Sequence, residues 1–247
     1  MLQNLIVKPT ITQSVQTKTQ FTLNMPGVDE LFPGFTPGDF AILYGSPSVI
    51  SLTSLLCVRA QLPPQLGGLG SNVIFVEGGN TFRLYHIARL AQLHQLDPEK
   101  TLERIFISRA FTAYQLTSLI MEKLEETVKT CNAKVVVISD LAGFFLDSDV
   151  ANEEAQRVYS QIVTYLSNFA RKHQIILIAT YLPYENSKRN IALQEMTLNR
   201  ASTILHFTKT PYTKEVTLEK HPSYMLGTVE LPSENVTLTD FMGTNSG

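Results

Sequence analysis

Short apolar runs alternate with amphipathic stretches along most of this chain, and that rhythm admits few architectures. The apolar runs are Phe40–Tyr44, Asn72–Val76, Ile105–Ile107, Lys134–Ile138 and Gln174–Ala179, and the segments Leu52–Gln61, Phe82–Leu96, Ala113–Thr130 and Asn152–His173 between them have helical composition. A run that is apolar at consecutive positions suits a strand covered on both faces. The alternation therefore predicts βαβ crossovers and an α/β fold with a mainly parallel twisted sheet flanked by helices. Near the end, Thr203–Thr208, Glu215–Lys220 and Gly227–Leu231 alternate apolar with polar between turn residues. That pattern predicts antiparallel strands at the C-terminal edge.

With 247 residues, 44% of them hydrophobic, the chain fits one α/β domain. Residues 1–24 are rich in Gln and Thr without a helical period and are expected to form an arm or linker, leaving a core at 25–240 and a tail at 241–247. No apolar run approaches the ~20 residues of a membrane span, and no secretory signal opens the sequence. The expectation is a soluble cytoplasmic protein, nuclear in a eukaryote or nucleoid-associated otherwise. Cys57 and Cys131 lie in apolar-patterned segments and read as buried free thiols, while the five histidines lack ligand spacing, so no metal site is expected. A formal charge of -2 gives no global basic field, so nucleic-acid binding would need a local patch. Charged residues at 17% leave room for a protein interface.

A parallel α/β sheet places its ligand beyond the carboxyl ends of the strands. The first such loop, after Tyr44, reads GSPSVISLT. A phosphate-binding loop needs Gly-x-x-x-x-Gly-Lys-Ser/Thr: glycines that let backbone amides curl around phosphate, Lys to neutralise it, and a hydroxyl for magnesium. Counted from Gly45, the last three places hold Ile50, Ser51 and Leu52. Ile50 is β-branched where glycine relieves the backbone, Ser51 is uncharged, and Pro47 removes one amide donor. The loop is expected to hold a triphosphate poorly, and no cofactor is expected.

The blocks GVDELFPGFTPGDFAILYG, then VEGGNTFR with ARLAQLHQLDPEKTLERIFISRAFTAYQ, then KVVVISDLAGFF before a long helix, follow one another in an order and spacing that resembles the RecA/RadA recombinase superfamily, more closely its RadA-like branch. NRASTILHF and KEVTLEKHPSYMLGTVEL resemble the family's C-terminal strands, so the resemblance runs from Gly27 to about Leu238 and implies a RecA-like ATPase core. In the family the second strand leads into Asp-x-Glu-Gly-Thr-Phe-Arg, whose Glu activates the attacking water. The aligned run here is Glu77 to Arg83, with Gly79 where that Glu would stand. Glu77 is displaced by roughly 6–7 Å along an extended segment and is expected to be structural. After the Val135–Ile138 run the family has Asp then Ser, whereas this chain has Ser139 then Asp140. The exchange turns Asp140 away from the magnesium position unless a bulge restores it. The family's Asn-Gln relay of the γ-phosphate is matched by Thr180 and Tyr181, and its Asp-x-Pro cap on the neighbour's nucleotide by Lys220, His221 and Pro222.

The resemblance and its departures together imply an inactive ATPase without catalytic residues. Such a pseudo-ATPase would dock on an active recombinase or another repair factor as a regulatory module in homologous recombination. Two other classes stay open: a structural protein that binds single-stranded DNA without ATP through Lys188, Arg189 and Arg200, and a residual nucleotide-binding ATPase using Ser46, Ser48 or Ser51 with Asp140 near magnesium. The stretch 183–200 occupies the place of the family's central DNA-binding loop and joins those cations to Tyr184, a combination suited to phosphate contact and base stacking. Glu185 and Glu195 dilute it, and a mobile loop is the favoured reading. The loop Asp147–Glu154 is acidic where the family supplies Arg, so DNA binding is expected to be weak. Leu5–Leu23 has no clear match to the Phe-x-x-Ala anchor through which family subunits stack, so weak self-association is expected.

Overall fold

The computed structural model describes residues 20–210 and 212–231. Most of the expected arm and the whole of the tail 241–247 lie outside them. Among the described residues eight strands form one sheet in the order β3-β2-β4-β5-β1-β6-β7-β8. They are β1 Phe40–Tyr44, β2 Asn72–Glu77, β3 Ile105–Arg109, β4 Ala133–Ser139, β5 Ile176–Tyr181, β6 Thr203–Lys209, β7 Lys214–Lys220 and β8 Gly227–Leu231. Strands β1 to β6 pair in parallel, and β6–β7 and β7–β8 are antiparallel. The parallel sheet with an antiparallel C-terminal edge is the architecture the periodicity predicts.

Each central strand feeds two cores, because successive side chains point to opposite faces. Ala41, Leu43, Val73, Phe75, Val135 and Val137 meet α2 (Val49–Arg59) and α3 (Leu84–Leu93) on one face. Ile42, Ile74, Val76, Val136, Ile138 and Leu177 meet helices on the other. Those helices are α5 (Ala113–Ser118), α6 (Leu124–Cys131), α7 (Asn152–His173) and α8 (Lys188–Arg200). The remaining α-helices are α1 (Val28–Leu31) and α4 (Pro98–Glu103). The expected Ala113–Thr130 helix is interrupted by one π-helical segment, Leu119–Lys123, which leads from α5 into α6. Cys57 is buried and Cys131 partly exposed, both as free thiols. No helix among the described residues is long and apolar enough to cross a membrane.

Two boundaries differ from the sequence expectation. Phe21 and Leu23 are fully buried, and Phe21 bridges to Phe35 with amide–carbonyl distances of 2.9 Å in both directions. The packed core therefore reaches back before Met25. Arg59 anchors this strap: it is buried and donates to the Thr22 carbonyl (2.9 Å), the Thr22 hydroxyl (2.9 Å) and the Leu66 carbonyl (3.0 Å).

The second correction concerns 183–200, expected as a mobile loop. Residues 188–200 form α8, started by the Ser187 hydroxyl accepting the Asn190 amide at 3.1 Å. Its buried face is Asn190, Leu193 and Thr197, packed on α7, where Thr197 and the Tyr159 hydroxyl share a 2.6 Å hydrogen bond. Two of those three inward residues are polar, so an apolar period was not visible. Leu193→Ala is expected to lower the unfolding free energy by about 2–4 kcal/mol in urea titration; a change below about 0.5 kcal/mol, the range of surface sites, would contradict a packed α8.

Candidate functional site

At the carboxyl end of β1 the chain turns at Gly45 with φ 101° and enters α2 within four residues. A phosphate loop stays open so that its amides converge on an anion. Here the amides of Val49, Ile50 and Ser51 donate to the carbonyls of Ser46, Pro47 and Ser48 at 3.2, 3.2 and 3.0 Å, and the Leu52 amide donates to Ser48 at 3.3 Å. The donors at the candidate positions Ile50, Ser51 and Leu52 are thus engaged by the chain itself. Ser48 also donates its hydroxyl to Ser46 Oγ at 3.0 Å. Gly45 is needed here: a Cβ would strike the His206 ring and lie 2.6 Å from the Phe207 carbonyl. His206 stacks on Tyr44 with centroids 4.5 Å apart, and Glu219 joins both, accepting from the Tyr44 hydroxyl at 2.7 Å and lying 3.2 Å from His206 Nδ1. Burial and Glu219 push the Tyr44 phenol up.

At the carboxyl ends of β2 and β4, parallel pairing sets Glu77 opposite Ser139. Glu77 is fully buried, accepts the Phe82 amide at 2.6 Å and pairs with Arg109 at 2.6 Å, so it ties β2, β3 and the following loop together. Thr81 and Ser139 share a short hydroxyl–hydroxyl contact. Strand β4 ends at Ser139, and Asp140 takes a left-handed backbone, φ 56°. Strict alternation therefore stops one residue before Asp140. Its amide donates to Thr180 Oγ1 (2.9 Å), and its carboxylate accepts the Gly143 amide (3.2 Å) and the Tyr184 hydroxyl (2.5 Å). A Cβ at Gly79 would lie 2.8 Å from Asp140 Oδ2 and 2.9 Å from its Cβ. The position of the family's base is thus closed by Asp140, and any side chain at 79 requires the acid to move. Burial raises the Asp140 pKa, against the lowering effect of the Tyr184 and Gly143 bonds, and Tyr184 is pushed up in turn.

The residues aligned with the remaining family positions bond within the chain. Thr180 receives the Asp140 amide, and the Tyr181 hydroxyl donates to Asn190 Oδ1 at 2.6 Å in the interior. Lys220 turns back on its own chain and caps α8 through the carbonyls of Leu198 (3.1 Å) and Asn199 (3.0 Å). His221 Nδ1 accepts the Ser223 and Tyr224 amides at 3.0 Å each, and burial lowers its pKa, while Pro222 is exposed.

The candidate nucleic-acid cations do not converge. Arg189 clasps the acidic loop, donating to the carbonyls of Asp147 (2.7 Å) and Val150 (2.7 Å) and to Asn152 Oδ1 (3.1 Å). Lys188 and Arg200 are exposed at opposite ends of α8, roughly 18 Å apart along its axis. Tyr184 is held by Asp140. The compact basic-aromatic cluster drawn from the sequence is therefore dispersed, because a helix occupies the span expected as loop. No group of three or more His, Cys, Asp or Glu among the described residues could hold a metal.

Two outcomes follow from the Asp140 geometry. Gly79→Ala should destabilise by about 1–3 kcal/mol through overpacking, and much of that loss should vanish in an Asp140→Gly background, read from a double-mutant cycle of urea midpoints; additive effects would deny the contact. A carboxyl whose folded pKa is raised above the ordinary value of 3.8 stabilises fully below that value and loses this contribution as pH rises through the folded pKa. Wild type should thus fall in stability relative to Asp140→Asn as pH climbs from 3.8 toward neutrality, measured by melting across pH.

Comparison with known proteins adds the lineage. The chain is 26% identical over 128 residues to the DNA repair and recombination protein RadA of Cenarchaeum symbiosum (strain A), an alignment covering 51% of this chain and 32% of that protein. The Rad51 family model matches residues 30–192, well over half the chain and including β1 to β5 and the loops at their carboxyl ends. With the mainly parallel α/β sheet and this match over most of its strands, the chain belongs to the Rad51 family within the RecA/RadA superfamily.

Proposed function

We propose that this chain is a non-catalytic Rad51-family paralogue, a pseudo-ATPase that serves recombination and repair as a binding or regulatory module. The observation that carries the reading is the engagement of the Val49, Ile50, Ser51 and Leu52 amides by the carbonyls of Ser46, Pro47 and Ser48. Opening that turn for a triphosphate would break four hydrogen bonds with no lysine in the loop to compensate. Gly79 offers no base, and Asp140 closes its position. Family membership and the similarity to a recombination protein support the biological setting, although the alignment spans only about a third of that relative's length, so the activity and partners of the whole protein are part of the proposal.

Docking on an active recombinase or another repair factor is supported by the open sheet edge. Strand β3 has no neighbour on its outer side among the described residues, and Phe106, Ile107, Phe111 and Tyr114 are exposed on and just after it. An unpaired edge beside apolar side chains suits addition of an extended segment from a partner. The single-stranded DNA reading has weaker support, since Arg189 is engaged and Lys188 and Arg200 stand apart.

Purified protein is expected to show no ATPase above background with or without single-stranded DNA, and millimolar Mg-ATP should leave its melting temperature unchanged. Turnover that disappears on Asp140→Ala would overturn the reading. Co-sedimentation with the cognate recombinase, compared between wild type and Phe106→Asp, separates the docking claim from the catalytic one: binding lost in the variant supports the β3 edge, and absence of binding in both removes the adaptor role.

A further inference from the structure

A cleft of about 230 Å³ lies between the first turns of α2 and the β6–β7 hairpin, sharing Ser48, Ser51 and Leu52 with the loop after β1. Its floor is apolar and buried, built from Met25, Leu55, Phe207 and Leu231. Ser48, Ser51 and Thr208 also line it. So do two lysines, Lys209 and Lys214. A concave apolar site with a few convergent polar groups, at the carboxyl end of an α/β sheet, has the anatomy of a small-molecule pocket.

The two lysines give the ligand its sign. Lys209 and Lys214 are register partners across the antiparallel β6–β7 pair. Like charges directly opposite one another in a ladder are destabilising. Neither lysine has an ion-pair partner among the described residues. The hairpin holds them in place: the Thr210 amide donates to the Thr213 carbonyl at 2.8 Å, and the Thr213 amide to Thr210 Oγ1 at 2.8 Å. Glu215 also lines the cleft, opposite Thr208 in the β6–β7 register and opposite Glu230 in β7–β8, so one acid stands against two cations. An anion seated between the ammonium groups removes their mutual repulsion, and an apolar body on the same molecule covers the floor.

We propose that this cleft binds a small organic anion with an apolar ring or branched chain, of the arylalkanoic carboxylate class. The carboxylate sits between Lys209 and Lys214, the Ser51 hydroxyl orients it, and the apolar body lies on Leu55 and Phe207. This goes beyond the pseudo-ATPase reading, with which it shares the loop residues Ser48, Ser51 and Leu52.

The test uses the full chain with the fluorescent apolar anion 8-anilinonaphthalene-1-sulfonate as probe, and 3-phenylpropionate with its uncharged analogue 3-phenylpropanol as competitors. One saturable probe site is expected, displaced by the acid at least tenfold more effectively than by the alcohol and weakened by salt. Lys209→Gln with Lys214→Gln should lower probe affinity at least tenfold, and Ser51→Phe, which fills the cleft, should abolish the site. Melting curves of the variants within a few degrees of wild type establish that the fold is kept; a variant that melts lower is replaced by Leu55→Met, whose altered floor should still change the probe's affinity. Absence of a saturable site, equal displacement by acid and alcohol, or undiminished binding in both the lysine and Ser51 variants overturns the proposal.

Discussion

Backbone pairing of β2 with β4 sets Glu77 beside Ser139, and the Gly78 amide extends that ladder by donating to the Ser139 carbonyl at 2.9 Å. Much of the geometry at this end of the sheet depends on that register. It brings the two residues after β2 against the residue after β4, so a glycine at 79 and an acid at 140 become neighbours although 61 positions apart in sequence. The left-handed backbone at Asp140 then directs the carboxylate toward Gly79, Gly143 and Tyr184 instead of along the strand's alternation. A register shift of one residue would separate the pair and expose a different face of each strand.

Buried charge in this protein is accommodated by hydrogen bonds to backbone and side-chain groups together. Glu77 meets an amide and one guanidinium, Asp140 an amide and a phenol, Arg59 two carbonyls and a hydroxyl. Each arrangement joins segments distant in the chain, and removing one partner would leave a charge in low dielectric with fewer bonds to offset its desolvation. Glu77 and Asp140 therefore act as structural ties at the sheet's carboxyl end, while Arg59 ties the end of α2 to the strap at Thr22. The engagement of Glu77 and Asp140 is what the pseudo-ATPase proposal draws on.

The fold was largely legible because it rests on contiguous signals. Consecutive apolar residues at Val135–Ile138 can only be a strand covered on both faces or a buried helix segment, and the amphipathic spans on either side select the strand. α8 escaped because Asn190 and Thr197 take inward positions that a hydrophobic period assigns to apolar residues, their polarity being met by Tyr181, Tyr159 and backbone carbonyls. The strap at Phe21 and Leu23 escaped for a related reason: its burial depends on Phe35 and Arg59, and nothing in the Thr-rich stretch around it reports those partners.

For the candidate site, the sequence by itself determined which side chains are present: no lysine in the loop after β1, no carboxylate at 79, and an acid moved one place to 140. Those identities are covalent facts and need no fold. The tertiary structure decided what the remaining groups are engaged with. It wound the amides of 49–52 onto the carbonyls of 46–48, turned Asp140 onto Gly79, drew Arg189 onto the acidic loop and folded Lys220 back onto α8. Hydrogen-bond partners depend on strand register, on one left-handed residue and on helix placement, and these arise from contacts between segments that no local pattern encodes.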